Sequence, residues 1–283
     1  MTTYAVTGST GPFGRTAIET LLARGVAPSD VVAIARTPAK AADLADRGVQ
    51  VREGDYDRPD TLGPALDGVH RVLLVSGSEL GNRVAQHTAV VDAAVAAGVE
   101  RLVYTSVTRA DGTHLLAGEH RATELAIQAS GLPHSILRNA LYLGVFAGRR
   151  DQAVATGAVV HAAGDGRVAS AARADLAEAA ALALLHDGGP SSVRELAGEP
   201  FTYEDLAAAF AEVSGAPVVA RAVSAEELGG ILAAVGLDAE TAGFVVGLDQ
   251  AIGAGQFDVT SSDLADLLGR EPTTLTEALR SDG

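Results

Sequence analysis

The 283-residue chain contains no cysteine, which excludes disulfides, thiolate catalysis and zinc held by sulfur. Positive charge is also scarce: 21 Lys plus Arg stand against 36 Asp plus Glu, for a formal charge of -15. No stretch gathers enough cations to track a phosphate backbone, so nucleic acid is not an expected partner. Apolar runs all fall short of the roughly 18 residues a membrane span needs, and no membrane association is expected. The first strand is expected from about Thr3, leaving no room for a signal peptide, and the expected compartment is the cytoplasm. The seven histidines are scattered with no i, i+4 pair among them, so no metal site is expected. Aromatics make up only 4%, and small side chains are expected where helices meet the sheet.

What is present suits one large core with a smaller lobe: 47% of residues are hydrophobic and only 20% charged. Short β-branched runs alternate with helical stretches from the start. Strands are expected at Tyr4 to Thr7, Val31 to Ala35, Val49 to Glu53, Val72 to Val75, Leu102 to Thr105 and Ser135 to Leu137. Helices are expected at Phe13 to Arg24 and near 38–47, 59–66, 83–97 and 115–130, with Gly25, Gly48, Gly98 and Gly131 closing four of them. The pattern predicts an α/β fold, a Rossmann-type doubly wound parallel sheet with helices on both faces. After Asn139 the rhythm loosens into helices at Arg173 to His186 and near 203–213, 224–234 and 238–252, with a short strand at Val193 to Ala197. Residues 1–139 are therefore expected to form a dinucleotide-binding domain. Residues 140–283 are expected to complete the sheet and add a smaller, mostly helical substrate-side lobe.

The strongest motif is Thr7-Gly8-Ser9-Thr10-Gly11-Pro12-Phe13-Gly14, a G-x-x-G-x-x-G between the first strand and the first helix. Its glycines permit a tight turn, backbone approach to a pyrophosphate, and close packing of helix on sheet. The helix N-terminus adds partial positive charge. Gly8, Ser9, Thr10, Gly11, Pro12, Phe13 and Gly14 are thus the expected cofactor loop.

The choice of dinucleotide turns on the end of the second strand, where NAD binding calls for a carboxylate. The run Ala35-Arg36-Thr37-Pro38-Ala39-Lys40 has none. Arg36 offers a planar fork to a 2′-phosphate and Lys40 a second charge, so NADP(H) is the expected cofactor. Asp55 either accepts from the adenine amino group or caps the next helix. Ser76, Gly77 and Ser78 either seat a ribose or form a simple turn.

The chain resembles the NmrA-like, atypical branch of the short-chain dehydrogenase/reductases, and within it the NADPH-dependent quinone oxidoreductases. The resemblance runs through the glycine loop, Arg36 to Lys40, Tyr104-Thr105-Ser106, Leu137-Arg138-Asn139, Ala163-Gly164-Asp165-Gly166 and Pro272-Thr273-Thr274-Leu275. It implies hydride transfer from NADPH directly to quinones, with no flavin. It leaves two alternatives: a catalytically silent NADP(H)-sensing regulator, and a related reductase of triphenylmethane dyes or enones. Thr105 and Ser106 complete the expected cofactor contacts.

The superfamily's usual Ser, Tyr and Lys set is incomplete here. Ser106 stands where the Ser belongs, but His120 and Glu124 replace the Tyr and Lys at i, i+4. A ketone reductase needs that pair at its developing alkoxide, whereas a hydroquinone anion is delocalised and can take its proton from water. The expected catalytic group is Asn139, for nicotinamide placement, with His120 and Tyr142 as further candidates. His120 is read either as a proton donor near neutral pH or as a helix-surface residue, Tyr142 as a pocket wall or a core residue. Glu79, Asn82 and Gln86 are weaker candidates for the substrate mouth, and Asp165 to Arg173 for a segment closing over the nicotinamide side. The sequence leaves the oligomeric state open, a homodimer being one assembly it permits.

Overall fold

The structure is a computed structural model and describes residues 1–186 and 189–281. Its core is a seven-stranded, wholly parallel sheet. The first half of the chain contributes β1 (Tyr4–Val6), α1 (Pro12–Ala23), β2 (Val31–Ala35), α2 (Ala42–Asp46), β3 (Gln50–Glu53), α3 (Leu62–Leu66), β4 (Arg71–Leu74), α4 (Arg83–Ala96), β5 (Arg101–Val107), α5 (Ala117–Ala129) and β6 (His134–Asn139). The second half contributes β7 (Leu141–Tyr142), α6 (Leu143–Ala147), α7 (Arg150–Thr156), β8 (Ala158–His161), β9 (Val168–Ala171), α8 (Arg173–Leu185), β10 (Ser192–Leu196), β11 (Pro200–Phe201), α9 (Tyr203–Ser214), β12 (Val219–Ala222), α10 (Ala225–Ala234), α11 (Ala239–Gly253), α12 (Asp263–Leu268) and α13 (Leu275–Ser281). The sheet order is β10-β6-β5-β4-β1-β2-β3.

Every residue of β2 and of β5 is buried, as strands covered on both faces require. One core layer lies between the sheet and α1 with α8, another under α3, α4 and α5. Helix α8 packs between α1 and α12. Its buried alanines at 177, 179, 180, 181 and 183 allow that close approach, which is where the alanine-rich composition is spent.

The expected strands and helices of the first half are present. The stretches expected as single helices at 38–47 and 59–66 each open with a 3₁₀ turn, Pro38–Ala41 and Pro59–Thr61, before a short α-helix, because a proline at the first helical position fixes the entry without an N–H to give. Gly25, Gly48, Gly98 and Gly131 all have positive φ.

The second half carries more β structure than its sequence suggests. Besides β10 on the main sheet, it holds a three-stranded sheet β11-β9-β7 and a two-stranded sheet β12-β8. These strands are two to four residues long, too short to show a period. The segment from Asp165 to Arg173, expected to close over the nicotinamide side, is packed into the fold over most of its length. Residues 168–171 are the fully buried β9, and a Cβ on Gly166 would lie 2.5 Å from the Ile252 carbonyl oxygen. Among the described residues, no helix is long and apolar enough to cross a membrane.

Candidate functional site

All seven main-sheet strands point the same way, so the residues that follow β1, β2, β3 and β4 collect at one edge. There they line a cleft of about 490 Å³. Gly8, Thr10, Gly11, Pro12, Phe13 and Gly14 come from the first connection, Arg36 from the second, Gly54 to Asp57 from the third and Val75 to Glu79 from the fourth. Gln86, Tyr142 and Arg173 complete the wall. A larger hollow of about 870 Å³ lies among β9, α9 and the α12–α13 connection, but none of the glycine-loop residues reaches it.

The glycine loop is shaped by contacts that a side chain would destroy. Gly8 has φ +59°, and a Cβ on Gly14 would lie 2.5 Å from the Gly8 carbonyl oxygen. Helix α1 can therefore press against the loop only with glycine at 14. Its N-terminal amides face the cleft with no side-chain cap at Gly11, leaving them for an anion. Ser9 is buried, its hydroxyl and its backbone N–H both donating to the Ile34 carbonyl, at 2.9 and 3.2 Å. Its side chain fastens the loop to β2 and does not line the cleft.

The floor is tied together by Thr7 and Tyr56. Thr7 Oγ1 donates to the Leu73 carbonyl and accepts from the Val75 N–H at 2.9 Å. The Tyr56 hydroxyl shares its one proton between two acceptors, Thr7 Oγ1 and the Val75 carbonyl. Burial holds the Tyr56 phenol well above its ordinary pKa. Tyr56 escaped sequence reasoning, although it lies between two aspartates at a strand end. Asp55 does line the cleft, and its carboxylate also accepts the Asp57 N–H at 3.1 Å, so it closes a turn as well.

Arg36 is exposed at the cleft rim, whereas Lys40 is exposed on the 3₁₀ turn and is not among the lining residues. Ser76 and Gly77 are held by neighbours: Ser76 N–H donates to Thr105 Oγ1 at 2.8 Å, and Gly77 N–H to His87 Nε2 at 2.9 Å. Thr105 therefore acts behind the cleft rather than in it. At the opposite end Phe13 stacks on Tyr142, with ring centroids 6.5 Å apart. The Arg173 guanidinium lies over the Tyr142 ring at 5.3 Å. Tyr142 is thus a wall of the cleft, and Arg173, the last residue of the segment expected to close over the nicotinamide side, is a cation in that wall.

The residues at the superfamily's catalytic positions are turned inward. Ser106 Oγ donates to Glu124 Oε1 at 2.7 Å, and Glu124, fully buried, takes two hydrogen bonds from Arg138, each 2.9 Å. Arg138 also meets Glu195 and Asp111. His120 is buried with Nδ1 2.7 Å from the Tyr104 hydroxyl. Burial, assisted by the Arg83 charge, pushes its pKa down to about 3. His120 is thus a buried residue and not one on the helix surface, held by Tyr104 and absent from the cleft lining. Ser106 likewise serves the buried ion pair and not the cleft wall.

Asn139, the last residue of β6, is 4% exposed and stands behind the cleft-lining residues instead of among them, and its Oδ1 is buried with no hydrogen-bond partner. Such an orphan acceptor costs about 1–3 kcal/mol unless a ligand meets it. Of the weaker candidates, Glu79 and Gln86 line the cleft and Gln86 is buried, while Asn82 is exposed before α4.

Residues 8–187 match the family described as NAD(P)H-binding. The chain is 40% identical over 277 residues to quinone oxidoreductase 2 of Escherichia coli, covering 97% of this chain and 96% of that one. Its fold superposes on the NADPH complex of the NADPH-dependent quinone oxidoreductase from that organism with a TM-score of 0.94 at 39% identity, covering 98% of this chain and 99% of the other. The triphenylmethane reductase of Citrobacter sp. complexed with NADP(H) matches with a TM-score of 0.93 at 39% identity, covering 99% of both chains. An NmrA-like family domain-containing oxidoreductase of Aspergillus flavus is 28% identical over 98% of this chain and 94% of its own. By fold, by glycine loop and by these likenesses, the chain belongs to the NAD(P)H-binding family.

Proposed function

We propose that this protein is an NADPH-dependent oxidoreductase that delivers hydride directly to quinone-type acceptors without flavin. The acceptor class rests on one observation. The two helix positions where the superfamily keeps its Tyr and Lys hold His120 and Glu124, both buried and both committed to internal partners. Nothing there meets an alkoxide. A quinone needs no such group, since its reduced anion is delocalised and draws its proton from water.

The residues present fit the dinucleotide. The uncapped start of α1 and the space kept open by Gly14 suit a diphosphate. Arg36 suits the 2′-phosphate, Asp55 and Tyr56 border the adenosine, and Ser76, Gly77 and Ser78 border the ribose. Asn139 Oδ1 is an unmet acceptor suited to a carboxamide N–H, which would orient the nicotinamide ring, and Tyr142 walls that end. When bound, NADPH supplies the hydride. The cytoplasm is the compartment we assign to this activity, and a homodimer is compatible with it.

A spectrophotometric screen of NADPH oxidation across benzoquinones, naphthoquinones, aldehydes and triphenylmethane dyes tests the reading. Turnover with quinones and none with simple aldehydes is the expected outcome. NADPH binding without oxidation by any acceptor would point to a regulator instead. Dyes reduced faster than quinones would favour the dye-reductase reading, to which the likeness to the Citrobacter enzyme lends support.

A further inference from the structure

The guanidinium assigned to the 2′-phosphate already faces an anion. Arg36 Nη1 lies 3.4 Å from Glu79 Oε1. The two residues come from separate connections, Arg36 from directly after β2 and Glu79 from the segment after β4, and both line the cleft. Glu79 is also held from behind: its Oε2 accepts a hydrogen bond from Gln86 Nε2 at 3.0 Å, and the same amide donates to Asp57 Oδ1 at 2.9 Å.

The backbone carrying Glu79 is pinned at several points. Gly77 donates to His87, its carbonyl accepts from Arg83 Nε at 2.8 Å, and the Gly81 N–H donates to Glu119 Oε1 at 2.8 Å. The carboxylate is therefore presented to Arg36 by a fixed segment.

We infer that Glu79 is a built-in competitor for the 2′-phosphate, a specificity-determining residue that limits affinity for phosphorylated dinucleotides and speeds their release. The inference rests on the NADP(H) reading of the cleft. A carboxylate and a phosphate monoester both bind a guanidinium through charge-assisted hydrogen bonds. A tethered carboxylate competes at the high effective concentration its segment sets. An incoming 2′-phosphate either displaces Glu79 from Arg36 or sits beside a like charge, and both lower its affinity. A ligand without that phosphate contests nothing. Because both side chains are partly exposed, the pair is worth about a two- to fivefold change in binding.

The test is Glu79→Gln, which removes the charge and keeps an oxygen for the Gln86 amide. Calorimetry on the full chain would compare adenosine 2′,5′-bisphosphate with adenosine 5′-monophosphate. The variant should bind the bisphosphate about two- to fivefold tighter and the monophosphate unchanged, and the gain should vanish in an Arg36→Ala background. Stopped-flow release of NADP⁺ should slow by a similar factor. No gain, a loss, or an equal gain for both nucleotides overturns the inference while leaving the cofactor reading intact. A wild-type chain that does not prefer the bisphosphate overturns the Arg36 assignment and this inference together.

Discussion

Glu124 and Arg138 form a two-pronged ion pair, Nε to Oε1 and Nη2 to Oε2, both at 2.9 Å, with the carboxylate wholly removed from solvent. The pair joins α5 to β6 beneath the sheet edge that carries Asn139, and Ser106 on β5 donates to the same carboxylate. A position that catalyses elsewhere in the superfamily thus serves to lock three elements together.

Removing the carboxylate leaves a buried guanidinium whose other ionic partners among the described residues are Glu195 and Asp111. Glu124→Ala should lower unfolding free energy by about 3–5 kcal/mol, as breaking a buried pair does. Urea denaturation measures it, and a loss below about 1 kcal/mol would show that the pair does not anchor the fold.

Gly14→Ala places a methyl group 2.5 Å from the Gly8 carbonyl oxygen. The helix must move off the loop, at a cost of about 1–3 kcal/mol, and the cradle deforms with it. The expected result is a folded protein of lower melting temperature that no longer binds NADPH in calorimetry. Wild-type affinity in this variant would detach the loop from the cofactor.

Arg36→Asp should reverse part of the cofactor preference, since it removes the guanidinium and adds the carboxylate that ribose hydroxyls favour. The kcat/KM ratio of NADPH to NADH should fall by about ten- to a hundredfold, the worth of hydrogen bonds to a charged group. An unchanged ratio would take Arg36 out of its role.

Asn139→Ala removes the orphan acceptor at the strand end assigned to the nicotinamide. Turnover should drop more than tenfold while the calorimetric Kd of NADPH moves about threefold or less, because orientation acts on the reacting geometry more than on total binding. Equal losses in both would make Asn139 a general binding contact.

His87 and His120 both stay neutral down to about pH 3, chiefly because burial penalises their charged forms. Unfolded histidines take up protons near 6.5. Between those values the unfolded chain holds more protons, so the stability these rings contribute is full above about pH 6.5 and is lost as pH falls toward 3. Each ring adds a slope of about 1.4 kcal/mol per pH unit in that window. Denaturation at a series of pH values should show the slope, and NMR should show neither ring titrating above about pH 5. Titration of either near 6.5 would remove its share.

The first half of the fold was legible because each strand and helix carries its own period and its own closing glycine. The place of the glycine loop and of Arg36 at the cleft was legible for the same reason, since it follows from neighbours in sequence. The short strands β7, β8, β9, β11 and β12 were not, because two to four residues carry no period and their pairing is made by distant chain.

The candidate site divides in the same way. Asn139 and Tyr142 were named from their place after β6, and the structure adds the orphan oxygen and the Arg173 guanidinium stacked above Tyr142. Sequence spacing put His120 and Glu124 on one helix face, but whether that face meets ligand or core depends on what packs against it. Tyr104 and Arg138 decide that, and they lie on other strands.

By itself the amino-acid order determined the parallel sheet, the dinucleotide loop and the placing of a guanidinium instead of a carboxylate at the end of β2, since hydrophobic period, glycine spacing and residue type at a strand end are local properties. Only the tertiary structure decided which polar groups face the cleft and which are consumed inside. Burial and pairing with residues far along the chain set the charge, the pKa and the availability of each side chain.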